Sequence, residues 1–112
     1  MEKTALHHIL YLRQVTIPFD PDNLPAKVSR YLPRNFIDLD VDIEGNNLVI
    51  MYSAREDSFM KDDWVNTCFY IAPYDSDIEV PPLAAFVANR KLHGNRVAVL
   101  CVQGERISNP NI

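Results

Sequence analysis

Apolar and polar residues alternate without a break from Ile37 to Glu44, where Ile37, Leu39, Val41 and Ile43 interleave with Asp38, Asp40, Asp42 and Glu44. A strand repeats every two residues, so this run puts four aliphatics on one face and four carboxylates on the other. A second apolar run, Leu48 to Ala54, follows across Gly45-Asn46-Asn47, residues that tolerate positive φ. The two runs predict a hairpin with arms Phe36 to Glu44 and Leu48 to Ala54. Its turn is Gly45-Asn46 or Asn46-Asn47. Either choice leaves Leu48, Ile50 and Tyr52 with the aliphatic face. Val49, Met51 and Ser53 then lie beside the carboxylates. A slip of one residue would bury the acids, so the register is strongly specified.

Other segments are read in the same way. Leu6 to Ile17 contains no Gly or Pro and is rich in β-branched and aromatic residues, which predicts a long first strand. After Pro18-Phe19-Asp20-Pro21, Asp22 or Asn23 can cap a helix with Pro25 in its first turn. Leu24, Val28, Tyr31 and Leu32 have helical spacing, and Pro33 ends the segment. Trp64 to Ala72 predicts another strand. Pro81-Pro82 predicts the opening of a second helix with Leu83, Phe86 and Val87 facing the core. Arg90, Lys91 and His93 fall in its last turn, and Gly94 terminates it. Val97 to Val102 is apolar on both faces and predicts a central strand.

The expected order is therefore β-α-β-β-β-α-β. It describes an α+β two-layer sandwich, a mostly antiparallel sheet with both helices on one face. The 112 residues fit one domain spanning 1–112, with 108–112 a frayed tail. No apolar run reaches the length of a membrane span, and the N-terminal residues do not resemble a signal peptide. Cys68 and Cys101 both lie in apolar strand-like runs. They read as buried free thiols suited to a cytoplasmic protein, although neighbouring strands would also permit a disulfide.

Charge sharpens the picture at one place. Between Asp38 and Glu79 there are eleven acids and two bases, a net of −9, while the whole chain carries −4. The basic residues are scattered, which argues against direct nucleic-acid binding, since that requires clustered Lys and Arg. No glycine remains for a phosphate-cradling loop once the turns are assigned. His7 and His8 are consecutive in a predicted strand and point to opposite faces, so they do not share a metal. Same-face carboxylates about 6.6 Å apart do not wrap one ion. No cofactor, metal site or catalytic residue is assigned.

The strongest functional reading is a non-enzymatic acidic module that occupies a basic surface of a partner protein, as an inhibitor or nucleic-acid mimic. Charge would steer the encounter and apolar contact would hold it. The residues expected to carry it are Asp38, Asp40, Asp42, Glu44, Val49 and Met51, with Phe59 and Met60 of the Arg55 to Asp63 loop either an exposed anchor or, the more ordinary reading, folded back onto the core. A solvated face that blocks edge pairing accounts for the same acids. The alternatives are a small enzyme or ligand-binding protein using the sheet face or a dimer cleft, and a structural subunit of a larger assembly, with homo-oligomerisation left open.

Overall fold

The computed structural model describes residues 9–55 and 64–104. Seven strands make up the fold: β1 Tyr11–Pro18, β2 Ala26–Pro33, β3 Asp38–Glu44, β4 Asn47–Ala54, β5 Trp64–Pro73, β6 Ala85–Leu92 and β7 Asn95–Gln103. They form two antiparallel sheets. Sheet A has the order β1-β4-β3 and sheet B the order β2-β5-β7-β6. The architecture is all-β, with no helix among the described residues, so the expected α+β sandwich with two helices is wrong. The aliphatic side of the β3–β4 hairpin is covered by a second sheet.

Both mistaken helices have a local cause. Asp20, followed by Asp22 and Asn23, makes a turn and not a helix cap. The Asp20 carboxylate accepts from the Asp22 N–H at 3.0 Å, and its carbonyl accepts from the Asn23 N–H at 3.2 Å. The chain then becomes β2. Ala26, Val28 and Leu32 share one face, and Tyr31, read as helical core, is 65% exposed on the other. Arg30 occupies an inward-register position and breaks the alternation that would have marked a strand. In the second case Pro82 follows Pro81 in a tight turn closed by the Ala84 N–H on the Pro81 carbonyl at 3.0 Å. Leu83 sits in that turn and is 84% exposed. A bulge between Phe86 and Ala88 then shifts the strand register, leaving Phe86 outside while Ala88 and Leu92 are buried. His93 and Gly94 are not a helix end. They are the two central residues of the β6–β7 hairpin, both with positive φ (51° and 83°), as a type I′ turn requires.

The first strand, expected from Leu6 to Ile17, begins only at Tyr11 and runs to Pro18; Ile9 and Leu10 lie outside it, and residues 6–8 are outside the described ones. The other expected strands are present. The β3–β4 hairpin pairs Glu44 with Asn47 across Gly45-Asn46. Gly45 has φ of 63° and takes the first central position, where a type II′ turn needs positive φ. β7 lies between β5 and β6 and buries residues on both faces, as its continuous apolar sequence implies.

The core sits between the inner faces. Val41, Leu48, Ile50 and Tyr52 of sheet A meet Leu32, Phe69, Ile71, Val97 and Val99 of sheet B. Phe36 joins them, its ring 5.3 Å from that of Tyr52, whereas Ile37, expected to face the core, is exposed. The buried Thr67 is satisfied. Its Oγ1 donates to the Val65 carbonyl and accepts from Gln103 Nε2, which also donates to the Pro33 carbonyl. Cys101 points into the core. Cys68, opposite Val102, points to the other face of sheet B, so the two buried cysteines remain free thiols.

Arginines mark the rim, and Arg13 of the sheet A edge strand β1, opposite the core residue Tyr52, is one of them. Arg30 and Arg90 both occupy inward-register positions, in the two edge strands of sheet B. A guanidinium cannot be left in the apolar centre, but from an edge strand it can reach out to the facing sheet. Arg30 Nη1 makes a long contact with the Thr16 carbonyl of β1 at 3.5 Å. Arg90 Nη2 donates to Asp40 Oδ1 of β3 at 2.8 Å, and its Nε lies 3.5 Å from Asp42 Oδ1.

Burial pushes the Cys101 thiol up from 9.0 to about 12, and the neighbouring Cys68 adds to the shift. Between these values the unfolded chain has lost a proton that the folded chain keeps, so Cys101 makes stability fall as pH rises from about 9. The stability difference between the native protein and Cys101→Ala should be constant up to about pH 9 and shrink above it. Urea midpoints measured from pH 7 to 10.5 test this, and a difference that stays constant throughout would contradict it.

Candidate functional site

The outer face of sheet A is built from cross-strand rungs. Leu12 of β1, Ser53 of β4 and Asp38 of β3 form one rung. Gln14, Met51 and Asp40 form the next, and Thr16, Val49 and Asp42 the third. Directly opposed residues in antiparallel strands point to the same side, so each set of three lies abreast. The sequence places the acids beside Val49, Met51 and Ser53, and the structure brings these residues together. What the sequence did not supply was β1 as the third strand. Leu12, Gln14 and Thr16 alternate in the sequence, but nothing in it says that they pair with β4.

The third strand changes two of the expected roles. Val49 is 3% exposed, closed in between Thr16 and Asp42, and does not form an exposed apolar strip. Met51 is half-buried and forms part of a floor. A groove of about 560 Å³ runs across this floor, lined by three residues of each strand: Leu12, Arg13 and Gln14 of β1, Met51, Tyr52 and Ser53 of β4, and Asp38, Leu39 and Asp40 of β3. Glu44, beside the turn, is exposed beyond the groove lining. Phe59 and Met60, the expected anchor, lie outside the described residues, as do His7 and His8.

The four acids are not equivalent. Asp40 Oδ1 accepts from the Val41 N–H and Asp42 Oδ1 from the Ile43 N–H, both at 2.8 Å. An edge strand leaves alternate N–H groups unpaired. Val41 and Ile43 are alternate residues of the edge strand β3, and the preceding aspartates supply their acceptors. The same two aspartates hold Arg90. Among the described residues Asp38 makes no ion pair or side-chain hydrogen bond, and it stands at the groove margin beside Ser53. Among the described residues no group of three metal-ligating side chains converges.

Ser53 contrasts with the paired hydroxyl of Thr67. The residue is 4% exposed, and its Oγ is buried with no hydrogen-bond partner. A hydroxyl left this way costs about 1–3 kcal/mol of desolvation.

A second concavity, about 990 Å³, opens at one end of the sandwich between the β1–β2 loop, the start of the 74–84 connection and the β6–β7 turn. Its polar residues are largely explained by the turns that make it. His93 and Gly94 form the hairpin turn, and Arg96 Nη1 donates to Asn89 Oδ1 at 3.4 Å. Its charges are mixed, Asp22 and Asp75 against Arg96, and favour no single ligand class.

No protein-family model, no curated protein and no solved structure matches this chain. No helix among the described residues is long and apolar enough to cross a membrane.

Two outcomes follow from these contacts. Arg90→Met should destabilise the protein by about 1 kcal/mol or less in low salt, and by less in high salt, because the pair is partly solvated. Urea titrations at two ionic strengths check both the size and the salt effect. Ser53→Ala should be neutral or stabilising by up to about 1 kcal/mol, because it removes an unpaired buried hydroxyl. A loss of more than that in the same titration would show that the hydroxyl has a partner in the folded state.

Proposed function

We propose that the protein is a binding module whose outer sheet A face receives an extended basic segment of a partner protein. The observation that carries this reading is the groove between β1 and β3, with its Met51 floor and its acidic margin at Asp38 and Asp40. In an extended chain, alternate side chains repeat about every 6.6 Å, the same repeat that separates Asp38, Asp40 and Asp42 along β3. Basic residues at alternate positions of a segment lying along the groove would meet the acids in register. The flanking residues would rest on Leu12 and Met51. The negative face would attract such a segment from a distance, and apolar contact would slow its departure. Catalysis has less support. The groove is open, and the acids of β3 stand in a row and do not converge on one point.

An octapeptide with arginine or lysine at alternate positions should bind, and raising the salt should weaken it steeply. A scrambled peptide with its basic residues adjacent should bind less well. The variant Asp38→Lys/Gln14→Lys reverses the charge beside the groove and leaves the Asp40–Arg90–Asp42 contacts in place. It should weaken binding at least about tenfold. Fluorescence anisotropy with a labelled peptide measures this, and unchanged affinity in the double variant would remove the groove from consideration.

A further inference from the structure

One rung of this face has the features of a site for a particular side chain, an inference that rests on the binding reading above. Ser53 Oγ is buried and unpartnered at the groove floor, so the fold keeps an acceptor there that it does not use. Asp38, abreast of it on β3, has no ion pair among the described residues, in contrast to Asp40 and Asp42, which hold Arg90. Leu12, abreast of it on β1, is 70% exposed and gives up little packing if it turns aside. Met51 is the next floor residue. The rung thus offers a carboxylate and a hydroxyl on adjacent strands, with aliphatic surface around them.

We propose that this rung is an arginine subsite for the partner segment. One edge of the guanidinium donates to the Asp38 carboxylate, and a further N–H donates to Ser53 Oγ. The stem lies along Leu12 and Met51. The choice of arginine follows from donor geometry. Adjacent strands stand about 4.8 Å apart, and a planar fork with five N–H groups can serve acceptors on both at once. An ammonium is a compact and strongly hydrated donor. It would satisfy Asp38 from the groove margin without stripping its water to reach Ser53. Anionic ligands are disfavoured by the adjacent Asp38 and Asp40.

The test compares three octapeptides that differ at one central position, carrying arginine, lysine or citrulline. Citrulline keeps most of the shape of arginine without its charge. Binding is measured to the native protein, to Ser53→Ala and to Asp38→Asn. The native protein should prefer arginine over lysine by about tenfold, and citrulline should bind worst. Ser53→Ala is expected to fold normally. It should remove most of the arginine preference while salt-dependent binding persists. Asp38→Asn should weaken arginine and lysine peptides alike and bring both close to citrulline. Equal affinity for arginine and lysine, or a preference that survives in Ser53→Ala, would overturn the subsite and leave the broader reading standing. If none of the basic peptides binds the native protein, both fall.

Discussion

The contact between the inward residues of β4 and those of β5 and β7 governs most of what this chain can do. Leu48 and Ile50 on one side, and Phe69, Ile71 and Val99 on the other, are fully buried. They form an apolar layer with no place for a charge at its centre. Charges that enter the inner register must therefore lie at the rim, and Arg30 and Arg90 lie in the two edge strands of sheet B. From there each reaches across to an edge strand of sheet A, Arg30 to β1 and Arg90 to β3. The position of these arginines is a consequence of the core and not a separate feature.

The acidic row on β3 has a double use. Asp40 and Asp42 complete the hydrogen bonding of an edge strand and hold Arg90, so they help close the sandwich. A neutral polar residue such as Thr would solvate this face, but it would not bind Arg90 as an ion. Asp38 has neither duty. Its carboxylate, with the hydroxyl of Ser53, is where the face departs from what folding alone requires.

The β3–β4 hairpin was legible in the sequence because its alternation is unbroken and its turn residues have a backbone reason to be there. Its division of faces is correct from Asp38 to Ser53. The two helices were not legible as strands because both segments interrupt the two-residue period at the position that matters. Arg30 stands where an apolar residue would be expected in β2. In β6 the bulge at Phe86 and Ala88 shifts the period, and Arg90 interrupts it again. Nearby prolines then made a helix start the better local fit. The groove was half legible. Its β3 and β4 walls follow from local pairing, whereas β1 arrives from more than thirty residues away in the chain, and local pattern carries no information on that pairing. Ser53 was placed on the right face, but its lack of a partner is a property of three dimensions only.

Arg90 gives the acidic row an occupant that belongs to the molecule itself. Any cation approaching Asp40 or Asp42 competes with a guanidinium that is tethered nearby and always present. That competition acts as a threshold. A cation at Asp40 or Asp42 must share or displace this guanidinium, whereas one at Asp38 need not. The four carboxylates of the row are therefore two kinds of acid: a middle pair already balanced by the molecule's own cation, and two outer ones, Asp38 and Glu44, that it leaves open to solvent.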